Sequence, residues 1–291
     1  MNNKHIHNMN KTILVGIDFS DCSINALEHA ISIAEKASAD IVMIWVNRPE
    51  NGKEIFRVNQ EHIVGEVIAR FKKLVDQYQS SLAHNTISFL VKAGKVYQEI
   101  VNTAEELDAF LIVVGTHGSS GFEEFWIGSN ALRIVTSTER PIISIRAGVD
   151  VHRTISNIVM PIDSTVESRQ KVPITSLIAK YFNAKIHILV MHTTTIEEVR
   201  LRVNEYVQQV EHYLTENQIE YVKKIIETHD ITDATIDYAI KTKANLISIM
   251  DQQERMPSNL WSGSFAAQMV NHSPIPVLSV HAKDLMADLS R

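Results

Sequence analysis

The sequence is poor in cysteine, in long apolar runs and in positive charge. Cys22 is the only cysteine in 291 residues, which excludes an internal disulfide framework and fits a reducing cytoplasm. No apolar run reaches the roughly 18 residues that cross a bilayer, and residues 1–11 lack the apolar core of a signal peptide. The formal net charge is −6, whereas nucleic-acid binding depends on an excess of Lys and Arg. We therefore expect a cytoplasmic protein without a membrane or nucleic-acid partner.

Glycine is also scarce, yet it is concentrated in one segment. The chain has ten glycines, and Gly115, Gly118, Gly121 and Gly128 fall within 14 residues, directly after the apolar run 109–115. Glycine is favoured where the backbone takes a positive φ or approaches another group closely. The segment is therefore either an exposed loop or a cradle for phosphate groups.

The two halves of the chain resemble each other. "ILVGID" at 13–18 matches "IVMPID" at 158–163, at an offset of 145 residues. Later in each half the offset is 135, since "GSNALRIV" at 128–135 matches "GSFAAQMV" at 263–270. A chain of this length with 45% hydrophobic residues can fill two cores of ordinary size. The duplication predicts two domains, residues 1–150 and residues 151–291.

Each half has the pattern of alternating strands and helices. Continuous apolar runs such as 12–17 are typical of strands buried on both faces of a parallel sheet. Between them, apolar residues recur at helical spacing, and a long helix is predicted over about 54–82. The pattern predicts an α/β fold of two tandem, doubly wound, Rossmann-like domains, each with a five-stranded parallel sheet flanked by helices.

Several candidate ligand-binding residues come at the ends of predicted strands. Ligands of doubly wound sheets bind beyond the carboxyl ends of the strands, and Asp18, Val46 and Gly115 each end a strand. Main-chain groups of Ile17 and Val46 could contact an adenine edge, and the Asp18 carboxylate could accept hydrogen bonds from ribose hydroxyls. Alternatively, Asp18 only caps the helix that follows it.

A helix is predicted to begin at Gly128-Ser129. The free amide groups of a helix N-terminus attract an anion, and the preceding glycines allow the loop to turn further amides inward. The simpler interpretation is an ordinary helix cap. Together with the strand ends, however, the spacing favours a mononucleotide site.

The pattern Gly-x2-Gly-x9-Gly-Ser at 115–129 resembles the ATP-binding motif of the universal stress proteins, and both halves resemble that family as in its tandem members. The resemblance implies stress-response proteins that bind ATP, alone or with Mg²⁺, and that dimerise through the last strand of the sheet. It implies that the first-strand acid contacts the nucleotide and that the glycine motif holds the ribose and phosphates. The nucleotide-binding residues implied here are Ile17, Asp18, Val46, Gly115, His117, Gly118, Gly128, Ser129 and Asn130.

The chain departs from the family pattern at two places. Asn130-Ala131 stands where family members often carry a hydroxyl residue in the first helical turn. In the second half, Met250 and Gln253 replace the first two glycines, although Asp163 is retained. Because side chains there would fill a phosphate site, we expect ATP binding in the N-terminal half only.

Three classes of function remain open: a nucleotide-binding regulatory protein, a slow ATPase, and a scaffold with a vestigial site. No Walker lysine follows Gly128, and no carboxylate–histidine pair is positioned by spacing as a general base. None of the 13 histidines shows the ligand spacing of a zinc site. We therefore predict nucleotide binding without efficient turnover, no catalytic residue and no metal ligand.

The last strands of the two halves, "PIISI" at 141–145 and "IPVLSV" at 275–280, predict the assembly. An unpaired apolar edge strand is an aggregation hazard. Pairing of the two edges within one chain would form an intramolecular pseudo-dimer, with further homodimerisation still open. In the alternative assembly, each edge pairs with another chain.

Overall fold

The computed structural model describes residues 11–47, 57–116, 128–146, 154–251 and 264–282. The N-terminal half contains β1 (Lys11–Gly16), α1 (Asp21–Ala37), β2 (Ala39–Asn47), α2 (Arg57–Tyr78), β3 (Ile87–Ala93), α3 (Val96–Glu106), β4 (Leu111–Gly115), α4 (Ser129–Ser137) and β5 (Ile142–Ile145). The C-terminal half contains β6 (Asn157–Ile162), α5 (Val172–Phe182), β7 (Lys185–His192), α6 (Glu197–Glu216), β8 (Tyr221–Glu227), α7 (Ile231–Lys241), β9 (Leu246–Asp251), α8 (Phe265–His272) and β10 (Val277–His281). The predicted α/β fold is confirmed.

All ten strands belong to one sheet with the order β3-β2-β1-β4-β5-β10-β9-β6-β7-β8. Neighbouring strands within each half are parallel. Strands β5 and β10 are antiparallel, with Ser144 opposite Val277 and Ile143 opposite Leu278. The last strands of the two halves therefore pair with each other, so that neither is an edge of the sheet. The predicted boundary between residues 150 and 151 lies outside the described residues and stays a prediction.

Helices cover both faces of the sheet, and each face has its own apolar core. One core is formed with α1, α2, α5 and α6, and the other with α3, α4, α7 and α8. The first core runs across both halves, and helices α1 and α5 contact each other. Burial of the sheet on both faces explains the continuous apolar runs of its strands. No helix within the described ranges is long and apolar enough to cross a membrane.

Candidate functional site

The N-terminal half has a cavity of about 630 Å³ where β1, β2 and β4 end and α4 begins. We call it the N-terminal cavity. It lies at the point where the strand order reverses around β1, which is where doubly wound sheets bind ligands. Predicted residues Ile17, Asp18, Val46, Gly115, Gly128, Ser129 and Asn130 all line it. His117 and Gly118 lie outside the described residues.

Asp18 follows β1 and organises the entry into α1. One of its carboxylate oxygens, Oδ1, accepts hydrogen bonds from the Ser20 amide at 3.0 Å and the Ser20 hydroxyl at 2.5 Å. Ser20 is the N-cap of α1, and its hydroxyl oxygen accepts from the Ser23 amide. The cap of α1 is therefore Ser20 and not Asp18, which bonds to Ser20 instead, and a ligand role for Asp18 stays a prediction.

Val46 directs main-chain groups into the cavity. The Ile17 amide donates to the Ile44 carbonyl at 2.9 Å, so the main-chain groups of Ile44 point toward β1. Main-chain groups of successive strand residues point alternately to opposite neighbours, so those of Val46 also point to this side, beyond the end of β1. No main-chain hydrogen bond is formed there within the described residues. Of the two residues proposed to meet an adenine edge, Val46 thus offers a donor and an acceptor, while the Ile17 amide is already bonded.

Gly115 is a glycine for a packing reason. Its φ is not in the positive region, so it does not form a positive-φ turn. A Cβ at this position would lie 2.8 Å from Cys22 Sγ and 3.0 Å from the Cys22 carbonyl carbon. The absence of a side chain at Gly115 therefore allows the end of β4 to lie close to the first turn of α1. Contact between Gly115 and a ligand stays a prediction.

Gly128 brings the start of α4 close to the end of β4. Its amide donates to the Thr116 carbonyl at 2.7 Å, and a Cβ would lie 3.2 Å from that oxygen. As the N-cap of α4 it has no capping side chain. The first-turn amides of Ser129 and Asn130 therefore border the cavity without a capping partner among the described residues, the arrangement that attracts an anion.

Ile63 was not expected at this site. The sequence pattern assigns it to the apolar face of the helix predicted over 54–82, yet it is 40% exposed and lines the N-terminal cavity. Deeper along the same helix, Val67 and Phe71 are buried in the core as the periodicity predicts. The start of α2 therefore adds an apolar wall to the cavity, which helical spacing alone does not distinguish from a core contact.

The C-terminal half has a smaller cavity at the equivalent edge. This C-terminal cavity measures about 260 Å³ and is lined by residues that include Asp163, Met250 and Phe265. Asp163 forms the same turn as Asp18, since its Oδ1 accepts from the amide and hydroxyl of Thr165 at 2.8 and 2.5 Å. Met250 and Phe265 stand where the first half has Gly115 and Asn130. Larger side chains thus occupy the space that is open in the first half.

The helix after β6 also begins differently from α1. A short 3-10 turn, Val166–Arg169, replaces its first turn, and α5 starts only at Val172, with Pro173 in its first turn. Because the backbone is rearranged here, the close contact that requires a glycine at position 115 has no equivalent at Met250. Lys171, just before α5, is buried and lines the cavity. Sequence reasoning missed it because a lysine at a helix start is ordinarily solvated.

Within the described ranges, no group of three or more His, Cys, Asp or Glu side chains is arranged to hold a metal ion.

Comparison with known proteins agrees with the duplication. The sequence profile of the universal stress protein family matches residues 9–146 and again residues 154–281. Universal stress protein MJ0531 of Methanocaldococcus jannaschii is 29% identical over 147 residues, covering 48% of this chain and 84% of that protein. Universal stress protein YxiE of Bacillus subtilis is 28% identical over 145 residues, covering 46% and 97%.

The fold agrees over nearly the whole chain with a solved structure of a universal stress protein from Archaeoglobus fulgidus. The TM-score is 0.74 at 18% identity, and the match covers 95% of this chain and 99% of that one. At that identity the likeness concerns the fold alone. The two consecutive family matches span most of the sequence, and the chain therefore belongs to the universal stress protein family, with two copies of the family unit in tandem.

Proposed function

We propose that this protein is a stress-response regulatory protein that binds one adenine nucleotide, ATP alone or with Mg²⁺, in its N-terminal cavity. The observation that carries the proposal is the cavity itself. At about 630 Å³ it falls within the roughly 300–1,000 Å³ of small-molecule sites. Polar main-chain groups and a helix start converge on it from three different elements. A cytoplasmic location and the division into domains 1–150 and 151–291 are part of the same proposal.

The groups around the cavity suggest how a nucleotide is held. The main-chain N–H and C=O of Val46 supply the donor and acceptor that an adenine edge needs. The Asp18 carboxylate accepts from ribose hydroxyls at the end of β1. The uncapped amides at the start of α4 bind phosphate oxygens, with the Ser129 hydroxyl as a further donor. His117 and Gly118 are proposed to complete the phosphate site.

Binding without efficient turnover is favoured over a slow ATPase. Asp18 is the one titratable side chain among the described residues that line the N-terminal cavity. A general base has to lie within reach of the water that attacks the phosphate, whereas the Asp18 carboxylate is assigned to the ribose hydroxyls. A phosphate-release assay on the same protein separates the two functions.

Calorimetric titration of the full chain with ATP, ADP and adenosine tests the proposal. We expect one site per chain, and we expect Asn130→Phe, which introduces the residue found at the equivalent position 265, to abolish binding by filling the cavity. The matched control, Phe265→Leu in the other half, should leave the affinity unchanged. Two equivalent sites, or equal affinity for Asn130→Phe and the parent, would contradict the assignment.

The second part of the proposal is that the C-terminal half serves as an intramolecular pseudo-dimer partner. Support comes from the antiparallel β5–β10 pair, from the Ser144 hydroxyl, which donates to the Val277 carbonyl at 3.4 Å, and from the packing of α1 on α5. The paired edges leave the outer helices as the surface through which a further homodimer would form.

Cysteines at the directly opposed positions Ser144 and Val277, in a Cys22→Ala background, test the pairing. Oxidation should give an intramolecular crosslink in the monomeric fraction, and the Ser144→Cys variant alone should give none. Crosslinks found only between chains would refute the pseudo-dimer, and light scattering reports any further homodimer.

A further inference from the structure

The C-terminal cavity is lined by charged groups of both signs. Lys171, Asp163 and Asp251 all line it. The first half has Ala26 and Thr116 at the positions of Lys171 and Asp251, so two of these charges are particular to the C-terminal half. Buried charges destabilise a fold unless they are paired, so a cavity with such walls requires an explanation other than packing.

Lys171 is a buried cation with incomplete hydrogen bonding. Lys171 is only 2% exposed, and its Nζ donates a hydrogen bond to the Ser168 carbonyl at 2.5 Å. An ammonium group has three donors, and the described residues provide neither a second acceptor nor an ion pair for this one. Burial lowers the Lys171 pKa to about 8, although the Asp163 carboxylate acts in the opposite direction. Two donors are thus available to a molecule in the cavity.

Asp251 is a buried carboxyl side chain that also lines the C-terminal cavity. It is 3% exposed, and His281 Nδ1 lies 3.8 Å from its Oδ2. That distance is too long for a hydrogen bond, and His281 Nδ1 is buried without a hydrogen-bond partner among the described residues. The Asp251 carboxylate therefore retains acceptor capacity toward the cavity.

The start of α8 adds main-chain donors. Ser264 is its N-cap and its hydroxyl oxygen accepts from the Ala267 amide at 3.2 Å. The amides of Phe265 and Ala266, which border the cavity, have no such partner among the described residues. These amides and the Lys171 ammonium group can donate hydrogen bonds to a ligand carboxylate. The carboxylates of Asp251 and Asp163 can accept hydrogen bonds from a ligand ammonium group.

We propose that the C-terminal cavity binds a small zwitterion, namely a free α-amino acid with a short side chain. Its carboxylate contacts Lys171 Nζ and the start of α8, and its ammonium group contacts Asp251 and Asp163. The volume of about 260 Å³ lies just below the roughly 300–1,000 Å³ of sites for larger ligands, which suits such a molecule and is too small for a mononucleotide. The inference does not depend on nucleotide binding in the other half.

Simple ions of one sign fit the same walls less well. The two carboxylates repel an inorganic or carboxylate anion, and the Lys171 ammonium repels a cation. Within the described residues no set of three side chains is arranged for a metal ion. A ligand that carries both charges a short distance apart is the class that satisfies all of these groups at once.

Calorimetry and thermal shift on the full chain, without nucleotide, test the proposal with defined probes. Glycine, L-alanine and L-serine should bind, and N-acetyl-L-alanine and L-alaninamide, which each lack one of the two charges, should bind at least about tenfold more weakly. Acetate and methylamine should not bind. The proposal is refuted if no amino acid binds at millimolar concentration, or if acetate binds as tightly as alanine.

Variants assign the binding to this cavity. Lys171→Met and Asp251→Asn should each weaken alanine binding at least about tenfold, whereas Asn130→Phe in the other half should leave it unchanged. Lys171→Met removes a buried charge, so its melting temperature should be at least that of the parent, which separates loss of binding from loss of folding. Unchanged affinity in Lys171→Met, or loss of alanine binding in Asn130→Phe, would overturn the assignment.

Discussion

The two cavities differ although they lie at equivalent edges of the two duplicated halves. In each half an aspartate follows the central strand and forms the same turn with a hydroxyl residue two positions later. Gly115, Thr116 and Asn130 in the wall of the first cavity correspond to Met250, Asp251 and Phe265 in the wall of the second, and Lys171, which lines only the second cavity, corresponds to the buried Ala26. These differences accompany a smaller cavity with charged walls in the second half. A duplicated fold therefore need not carry a duplicated site, because the chemistry of a site depends on its own residues.

The largest loss of stability is expected when the residue found at position 250 is placed at the equivalent position of the first half. Gly115→Met introduces the side chain found at position 250. Because a Cβ at Gly115 would already lie 2.8 Å from Cys22 Sγ, the variant should lose about 3 kcal/mol of unfolding free energy, the upper part of the usual range for overpacking. It should also lose nucleotide binding. Urea unfolding and calorimetric titration measure both effects.

The reverse exchange is the control for this prediction. Met250→Gly removes a side chain that is 5% exposed, so it should destabilise the protein through a cavity without creating a nucleotide site, since Lys171 and Phe265 remain. If Gly115→Met is as stable as the parent, the contact with Cys22 does not explain the glycine.

Much of the fold could be predicted from the sequence because its signals are local. The apolar runs and the helical spacing are each encoded within a few neighbouring residues, and the structure agrees with them. The convergence of Asp18, Val46 and Gly115 was also predictable, since parallel strands end at a common edge. Pairing of β5 with β10 is one of the two assemblies that the need to cover two apolar edges left open.

The remaining features depend on contacts distant in sequence. Gly115 is limited by Cys22, which lies far from it along the chain. Lys171 is buried because α5 starts late, after a 3-10 turn, and no pattern in the segment around it distinguishes it from a solvated lysine. Such features are set by tertiary packing and not by periodicity.

Lys171 gives the second prediction, which concerns the cost of the charge that distinguishes the C-terminal cavity. Its pKa falls from 10.5 to about 8 in the folded protein. Below pH 8, burial of the charged lysine therefore lowers the free energy of unfolding by about 3 kcal/mol. This loss disappears as the pH rises from 8 through 10.5, because the lysine is then neutral in both the folded and the unfolded chain. Lys171→Met should raise the unfolding free energy at pH 7. The difference between variant and parent, measured by urea unfolding, should shrink toward pH 10.5.

A matched exchange at the equivalent position, Ala26→Met, controls for the added apolar bulk. Ala26 is fully buried, so this variant should be destabilised by overpacking and should show no change of that difference with pH. A constant difference for Lys171→Met across this pH range would contradict the burial of a charged lysine.

His29 is the counterpart of Ile174 and makes the first half sensitive to acid. It is 1% exposed, and neither ring nitrogen has a hydrogen-bond partner among the described residues. Burial lowers its pKa from 6.5 to about 4. Because the unfolded chain binds the proton more readily, stability falls as the pH drops from 6.5 toward 4, by about 2 kcal/mol between pH 7 and pH 5. Unfolding of the parent and of His29→Ile at these two pH values measures the effect.

In His29→Ile this contribution to the pH dependence should vanish, while stability at pH 7 changes little. The exposed His212 provides the matched control, since His212→Gln should retain the slope of the parent. An equal loss of stability between pH 7 and pH 5 in parent and His29→Ile would show that other groups carry the acid sensitivity.

The smallest expected difference concerns the two serines that follow the last glycine of each motif. Ser264 is the N-cap of α8 and accepts from the Ala267 amide, whereas Ser129 is the first residue of α4 and caps nothing. Ser264→Ala should therefore cost about 1 kcal/mol of unfolding free energy, and Ser129→Ala should stay within about 0.5 kcal/mol of the parent, as at an ordinary site. Nucleotide affinity should respond in the opposite order, because only Ser129 borders the N-terminal cavity. If Ser129→Ala destabilises the protein as much as Ser264→Ala and leaves the affinity unchanged, the first serine is a structural cap and the start of α4 does not bind phosphate.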